Sequence, residues 1–441
     1  MNLIPKRNIV FFSIDCRRAD LYETFNGHYA SPNLTRMAER GIVFENMYTP
    51  AVSTVMTLDA IINGRYAHQS GRVTYPVQEK DEGELSLFRK MKKLRRKSYI
   101  LFTPSYVKDY ADGIFNGDDA ERVVINGGPS SDRAREIIKI AKETEEPFLI
   151  FSHNSVGKPK DVDTPASSTP RLVEHYVKED DDAIGLLLDE LDLSKTTIVF
   201  YSDHGFLNGE HGHLFMHAFF LYEPVVRVPC IVTADEKQVV CARHSLIDLN
   251  DLLTEKDISP PKCIYADTQY KQQFHRITMV IEDDWKYMAH YSPDTAVTGR
   301  QEELYDLKAD PHENRNLLYD IAKHPLRYDW NQQDMASFSG TYLFKYDREF
   351  LNEKANVLKR RISRIWINDF ISILNDKNTD RVRSFIDNLK SAEPSVQLKV
   401  VSDSMCKLKS PCWYGGGMPP IKDGNPPPQP PMGFPGLPKN F

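Results

Sequence analysis

The sequence predicts an α/β fold with a doubly wound, mostly parallel sheet, a small C-terminal antiparallel subdomain and extra helices. Apolar runs that end in polar residues recur up to about residue 234, and such runs are typical of strands buried on both faces. Amphipathic helical patterns separate them, and this alternation indicates a parallel sheet. Further along, apolar and polar residues alternate singly, which is typical of antiparallel strands.

The strands and helices of the first part follow one another in order. Strands are predicted at Asn8–Ile14, Tyr99–Thr103, Phe148–Phe151, Ile198–Tyr201 and Arg227–Thr233. Helices are predicted at Pro32–Arg40, Leu58–Asn63, Glu82–Lys97, Asp132–Glu145 and Leu172–Leu191. Ser31 and Pro32 suit the cap and first position of a helix, and Gly41 and Gly64 suit helix ends.

The second part of the chain begins with a predicted antiparallel hairpin. Its strands are His275–Asp283 and Trp285–Tyr291, and charged helices are expected within Phe350–Leu389. We therefore divide the chain into an α/β domain (1–260), an antiparallel subdomain (261–325), a charged helical extension (326–400) and a tail (401–441). Residues 411–441 contain ten Pro and six Gly, a composition typical of disorder.

Composition restricts the classes of partner and compartment. The net charge of −6 with dispersed Lys and Arg does not predict nucleic-acid binding. Six Cys in 441 residues are too few for a disulfide framework. No apolar run has the length of a membrane span, and the N-terminus does not have the pattern of a signal peptide. We expect a cytoplasmic protein.

Pro426–Pro431 also has the pattern of a ligand for an SH3- or WW-type partner, although a tail without a partner is the simpler interpretation.

Polar residues follow two of the predicted strands, and a third polar cluster lies close to the chain's first helices. Asp15 follows the first strand, Asp203 and His204 follow Ile198–Tyr201, and hydroxyls occur at Ser53, Thr54 and Thr57. Ligands bind beyond the carboxyl ends of the strands in open α/β sheets, so these clusters are expected to converge. Two carboxylates and an imidazole suit a first-row divalent metal. A hydroxyl beside such a metal becomes a nucleophile for phosphate or sulfate esters.

Several motifs carry a family resemblance. Asn8–Tyr22 contains Asp15-x-x-Arg18-x-Asp20, Asn63–Tyr66 is NGRY, and Ile198–Gly205 is IVFYSDHG. With Leu221–Val232 and Glu303–Leu317, these motifs resemble the sulfatase branch of the alkaline phosphatase superfamily. The resemblance runs in the family's order from about residue 7 to residue 318, and it implies the alkaline phosphatase-like fold. Several motifs in register are far more specific than any single one.

This chain departs from the family pattern at the nucleophile and at the metal ligands. The resemblance places Thr54 at the nucleophile position, where sulfatases have Cys or Ser within Cys/Ser-x-Pro-x-Arg, and this chain has Thr54-Val-Met-Thr-Leu. A formylglycine is therefore not expected. Cys16 replaces the second Asp of the sulfatase pair, and His204 replaces a common Asn. Both changes favour one Mn²⁺ or Zn²⁺ ion over Ca²⁺.

The predicted metal ligands are Asp15, Thr54, Asp203 and His204, and Thr54 is also the predicted nucleophile. Ser53 and Thr57 remain rivals for that role, and a helix-capping hydroxyl is the structural alternative for Thr54. His217, near a lysine position of the family, is the first candidate for the general acid, and His153 is the second. A solvated loop histidine is the alternative for each. Arg18 is expected to be structural and to pair with a nearby acid.

The predicted function is metal-dependent hydrolysis of small-molecule phosphate monoesters or diesters, or of phosphonate esters, through a phosphothreonine on Thr54. One alternative is a sulfatase that works without formylglycine. A second alternative is a catalytically inactive scaffold with the same fold, which the missing substrate-binding residues of the family would favour. We predict that the substrate is not nucleic acid.

Overall fold

The structure of the 441-residue chain is a computed structural model. It describes residues 8–66, 69, 86–102, 120–125, 128–145, 147–154, 170–212, 214–217, 220–252, 259–268, 276–291, 302–318 and 348–374. The tail and the predicted boundaries at 325 and 400 lie outside these residues, and the division into domains stays a prediction. Among the described helices, none is both long and apolar enough to cross a membrane.

Seventeen strands and eight α-helices are found among the described residues. The helices are α1 (Pro32–Ala38), α2 (Thr54–Asn63), α3 (Leu87–Lys93), α4 (Ser130–Glu143), α5 (Pro170–Glu190), α6 (Glu223–Val226), α7 (Leu249–Leu252) and α8 (Arg348–Leu374). The strands of the first part are β1 (Asn8–Ile14), β2 (Gly41–Phe44), β3 (Met47–Tyr48), β4 (Lys97–Phe102), β5 (Glu121–Val124), β6 (Phe148–Asn154), β7 (Thr196–Ser202), β8 (Leu207–Asn208), β9 (Leu214–Met216), β10 (Arg227–Val228), β11 (Cys230–Thr233), β12 (Gln238–Val240) and β13 (His244–Ser245). The remaining strands are β14 (Ile264–Thr268), β15 (Arg276–Glu282), β16 (Trp285–Tyr291) and β17 (Glu302–Asp306).

The main sheet has eight strands in the order β12-β2-β11-β7-β1-β6-β4-β5. The neighbours of β1, which are β6 and β7, are both parallel to it. Strand β11 is antiparallel to β7 and to β2, and the other seven strands run in one direction. The predicted mostly parallel α/β fold is therefore confirmed. The single predicted strand at Arg227–Thr233 is two strands, of which β10 pairs with β3 in a separate small sheet.

Helices cover both faces of the main sheet, as a doubly wound fold requires. On one face α2 and α3 pack through residues such as Leu58, Ile61 and Phe88 against Phe11 and Phe151. On the other face α1, α4 and α5 bury a second apolar cluster against the sheet. Because successive strand residues point to opposite faces, the alternate residues of β1 and β6 divide between the two clusters.

The second sheet is antiparallel and has the order β14-β15-β16-β17. The hairpin of β15 and β16 matches the strands predicted for this part of the chain, and its turn contains Asp283 in the left-handed conformation (φ 54°). Helix α8 packs on this sheet through Leu351, Leu358 and Ile362. Arg361 donates two hydrogen bonds of 2.7 Å to the Glu282 carboxylate, which fixes the helix along β15.

Candidate active site

The candidate active site lies at the carboxyl edge of the three central parallel strands. In the β1–β7 register Ile14 is opposite Ser202, so Asp15 and Asp203 leave the sheet side by side. The Asp203 N–H donates to the Ile14 carbonyl (3.3 Å), and the Asp15 N–H donates to the Asn154 carbonyl at the end of β6 (3.0 Å). The predicted convergence of strand ends at this edge is what the backbone geometry shows.

Two carboxylates and one imidazole meet at this edge. Nε2 of His204 lies 3.4 Å from Oδ2 of Asp203 and 3.9 Å from Oδ1 of Asp15. The side chains of His204 and Asp203 are fully buried, and that of Asp15 is 15% exposed. One ligand atom from each of these residues lies within 4.8 Å of the other two. A single ion is therefore within reach of Asp15, Asp203 and His204 together.

The hydrogen bonding of His204 fits a metal ligand. Its Nδ1 lies 3.1 Å from the Gly205 carbonyl, which in a neutral imidazole requires the proton on Nδ1 and leaves the Nε2 lone pair facing the carboxylates. Oδ2 of Asp203 is buried and has no hydrogen-bonding partner in the described part of the chain. A buried carboxylate oxygen without a donor is costly unless a cation satisfies it. The residues present therefore fit a divalent cation.

The pKa values of the two carboxyls diverge. Burial and the nearby charge of Asp15 raise the pKa of Asp203 to about 6. Burial also opposes ionisation of Asp15, but the facing His204, His153 and His217 outweigh it and hold the pKa of Asp15 below its usual value. Two buried carboxylates this close repel each other when both are ionised. A bound cation would remove that repulsion and keep both ionised.

Thr54 is the hydroxyl that reaches this centre. It is the first residue of α2, and its Oγ1 lies 3.5 Å from Nε2 of His204. The rival Thr57 donates to the Ala51 carbonyl (2.8 Å) and lies 3.0 Å from the Thr49 hydroxyl, so its hydroxyl is already used to hold the turn before α2. Ser53 is the N-cap of α2 without a side-chain cap hydrogen bond.

The structure places both histidine candidates next to the carboxylates. His217 stacks on His204, and its Nδ1 lies 3.2 Å from the Val52 carbonyl. Burial and the His204 charge lower the pKa of His217 to about 4. His153 lies with Nδ1 2.9 Å from the Ser13 hydroxyl and Nε2 4.0 Å from Oδ2 of Asp203. Burial lowers its pKa as well, so both imidazoles are neutral near pH 7.

Cys16 occupies a strained position beside the metal-ligand candidates. Its φ of 56° is in the left-handed region, which is unfavourable for a residue with a side chain and is often found at functional sites. Its N–H donates to Oδ1 of Asp203 (3.2 Å), and its Sγ lies 3.5 Å from Nδ1 of His204. Burial raises the pKa of the thiol well above its usual value. In the metal-free protein the thiol is therefore neutral.

The two arginines after Cys16 have different environments. Arg18 donates to both carboxylate oxygens of Asp20 (2.8 and 2.6 Å) and to Glu210 (2.6 Å), which is the pairing expected for it. Arg17 is buried and donates to Asp180 in α5 (2.6 Å), which also accepts from the Tyr22 hydroxyl (3.0 Å). Sequence reasoning missed this buried pair because Asp180 lies in a run of acids that has the pattern of an exposed helix face.

The C-terminal sheet contacts α6, the helix that binds the backbone of Gly205 next to His204. The Gly205 N–H donates to the Val225 carbonyl in α6 (2.8 Å), and a Cβ at Gly205 would lie 2.1 Å from the Pro224 carbonyl oxygen, so only glycine fits. Glu223, at the start of α6, lies 3.2 Å from the Lys286 ammonium of β16. This ammonium is fully buried and also pairs with Glu313 (2.7 Å).

The fold, the converging carboxylates and imidazole, and the adjacent hydroxyl are those expected of an ester hydrolase of the alkaline phosphatase superfamily. The chain belongs to the sulfatase family, whose family model matches residues 7–255, more than half of its length. This confirms the predicted family. Sulfatase-family enzymes use a divalent metal, and Asp15, Asp203 and His204 are the candidate ligands in this chain. A search of curated proteins finds no significant match.

Solved structures share the fold at low sequence identity. A 2-O GAG sulfatase has a TM-score of 0.58 at 15% identity, with 72% of this chain and 89% of that chain covered. A structure in complex with its substrate D-glucosamine-2-N,6-O-disulfate has a TM-score of 0.58 at 15% identity, with 75% and 96% covered. The phosphonate monoester hydrolase of Agrobacterium radiobacter has a TM-score of 0.55 at 14% identity, with 76% and 93% covered. At these identities the similarity shows the fold alone.

Proposed function

We propose that the protein hydrolyses phosphate monoesters or diesters, or phosphonate esters, with Thr54 as the nucleophile. The observation that carries this proposal is the position of the Thr54 hydroxyl, 3.5 Å from Nε2 of His204, at the point where Asp15 and Asp203 meet. A threonine at this position supports phosphoryl transfer, because it cannot supply the formylglycine of the typical sulfatases.

Asp15, Asp203 and His204 are the proposed ligands of one divalent cation, with Thr54 beside it. When bound, such a cation lowers the pKa of a nearby hydroxyl and offsets negative charge on ester oxygens. We favour Mn²⁺ or Zn²⁺ over Ca²⁺, because an imidazole joins the two carboxylates. Cys16 contributes no oxygen ligand, so the site has fewer anionic oxygens than a calcium site has.

The reaction uses Thr54 and one of two histidines. The Thr54 hydroxyl gives up its proton and its Oγ1 attacks phosphorus while the bond to the leaving oxygen breaks. The leaving oxygen gains a proton, so the products are a phosphothreonine and an alcohol. Water then cleaves the phosphothreonine, and the hydroxyl of Thr54 is restored. His217 and His153 are the candidates to give a proton to the leaving alcohol and to take one from the water. Both are neutral in the free protein, so each must gain a proton in the complex with an anionic ester before it can donate one.

The alternative is hydrolysis of sulfuric esters, which the sulfatase family model favours. A panel of aryl phosphate monoesters and diesters, aryl phosphonates and aryl sulfates, each with Mn²⁺, Zn²⁺ and Ca²⁺, separates the two. We expect hydrolysis of a phosphorus ester with Mn²⁺ or Zn²⁺. Faster hydrolysis of the aryl sulfate would favour the sulfatase. No bound metal and no hydrolysis after metal is added back would favour the scaffold.

A further inference from the structure

One buried cation near the candidate active site has no partner among the described residues. Arg133, in the first turns of α4, is only 2% exposed. Its Nε and Nη1 are buried and make no hydrogen bond, and the structure shows no ion pair for it among the described residues. Burial lowers the pKa of the guanidinium to about 10, so the group is still charged at neutral pH. The other described arginine that is buried to this extent, Arg17, is paired with Asp180.

A buried charge without a partner is unfavourable, because the protein interior does not replace the hydration that is lost. A chain can remove this cost by replacing the arginine with an apolar residue, by pairing it with a carboxylate or by binding an anion. Arg133 is present, and no carboxylate of the described residues pairs with it. An anion from outside the chain would supply the missing counter-charge.

The position of Arg133 indicates where that anion lies. Helix α4 begins at the carboxyl edge of the sheet, since the Asn154 amide at the end of β6 donates to the Ser130 hydroxyl in the first turn of α4 (2.6 Å). Helical side chains lean toward the helix N-terminus, so Arg133 extends toward this edge. His153 immediately precedes Asn154, and the charge of Arg133 contributes to lowering the pKa of His153. The N-terminal end of α4 adds positive potential at this edge.

We propose that Arg133 binds an oxyanion, a phosphate, sulfate or carboxylate group, that the substrate carries in addition to the ester that reacts. The substrate is then an ester with a second anionic group, held near His153 on the α4 side of the sheet edge. The assignment to a substrate rests on the proposed hydrolase function. The binding of an oxyanion at Arg133 does not.

The first test measures anion binding without turnover. Arg133→Met and the control Arg135→Met are compared with wild type by calorimetry with inorganic phosphate and sulfate, and by thermal unfolding against chloride at equal ionic strength. Arg135 lies on the same helix, is 61% exposed and pairs with Asp132. We expect wild type and Arg135→Met to bind one oxyanion more than Arg133→Met. Arg133→Met should be at least as stable as wild type when no oxyanion is present.

The outcomes separate the proposal from a structural role. Equal oxyanion stoichiometry in wild type and Arg133→Met would overturn it. A lower melting temperature of Arg133→Met in chloride would also overturn it, because it would reveal a partner within the protein. Arg133→Lys keeps the charge and should retain part of the oxyanion effect, and loss of the whole effect in a well-folded Arg133→Lys protein would contradict a simple charge requirement.

The second test measures turnover. An aryl phosphate with a carboxylate on its ring is compared with the unsubstituted aryl phosphate. Arg133→Met should raise KM at least tenfold for the carboxylated ester and less than twofold for the other, and any change in kcat that arises through His153 should be the same for both esters. Equal KM changes for the two esters would overturn the substrate assignment. If wild type hydrolyses neither ester, the proposed function fails, and the calorimetry still decides whether Arg133 binds an oxyanion.

Discussion

His217 stacks on His204 with ring centroids 4.3 Å apart and ring planes inclined by 16°. This contact joins a candidate metal ligand to a candidate proton donor, and it makes simultaneous protonation of both rings unfavourable. It also means that substitution of His217 has two separable effects, the loss of a ring face against His204 and the loss of a nitrogen at the site.

The stack gives a prediction for His217. His217→Phe keeps a ring against His204 but cannot transfer a proton, so metal content should be retained while hydrolysis of alkyl esters falls by about 10²-fold or more. Nitrophenyl esters, whose leaving group needs no proton, should be affected much less. The ratio of kcat values for the two esters is the measurement, with His153→Gln in parallel. If only His153→Gln changes that ratio, His153 is the general acid.

Thr54 gives the sharpest test of the proposed nucleophile. Thr54→Ala should lower kcat by at least about 10³-fold, as expected when a nucleophile is removed, while the metal content measured by mass spectrometry stays close to that of wild type. Ser53→Ala and Thr57→Val are the controls and should keep most of the activity. Thr57→Val should cost about 1 kcal/mol of stability, since it removes the hydrogen bond to the Ala51 carbonyl. Substantial activity in Thr54→Ala would contradict the assignment.

Removal of metal should reverse the pH dependence that Asp203 contributes to stability. The pKa of Asp203 is raised to about 6 in the folded metal-free protein, above the value of about 3.9 for an unfolded Asp. Between these values the folded state binds more protons, so the free energy of unfolding should rise as pH falls from 7 to 5. With metal bound, protons compete with the cation, and the same change of pH should be destabilising.

The measurement is denaturant unfolding at pH 5, 6 and 7, with and without chelator, for wild type and Asp203→Asn. The difference between the two proteins isolates Asp203 from other titrating groups. With chelator present, the free energy of unfolding of wild type should rise relative to that of Asp203→Asn as the pH is lowered. A difference that is independent of pH would contradict the burial of an ionisable Asp203 beside Asp15.

The buried pair of Arg17 and Asp180 should matter for stability. Asp180→Asn leaves the Arg17 guanidinium buried without a counter-charge, which should cost about 3–5 kcal/mol. The exposed pair of Arg36 and Asp189, with side chains 41% and 63% exposed, is the control, and Asp189→Asn should change stability by no more than about 0.5 kcal/mol. Urea midpoints of the two variants give the comparison, and similar small shifts would contradict a structural role for the buried pair.

Local patterns in the sequence were sufficient for the central sheet and for the residues at its edge. The apolar runs at β1, β6 and β7 are each followed or ended by polar residues, and parallel strands bring their carboxyl ends together whatever the intervening loops do. Asp15, Asp203 and His204 could therefore be named without knowledge of the helices. The starting residue of α2 could not be predicted, because the periodic pattern begins at Leu58 and the helix begins at Thr54.

Features that depend on contacts between distant segments could not be predicted. The reversed direction of β11 follows from its pairing between β2 and β7, and its apolar run is typical of either direction. The burial of Arg133 depends on how α4 packs on β6. In the sequence Arg133 stands among the charged residues Asp132 and Arg135, a pattern that is typical of a solvated helix face. The left-handed backbone at Cys16 has no local signal, since only glycine marks such positions reliably.

The contact between Lys286 and Glu223 has a consequence for any replacement of the C-terminal sheet. Lys286 belongs to the C-terminal sheet, and Glu223 begins the short helix whose carbonyl groups hold Gly205, next to His204. A recombination that replaced the C-terminal sheet would leave Glu223 and Glu313 without their shared cation and would loosen the segment behind His204. An exchange of the C-terminal sheet would therefore have to preserve a cation at the position of Lys286.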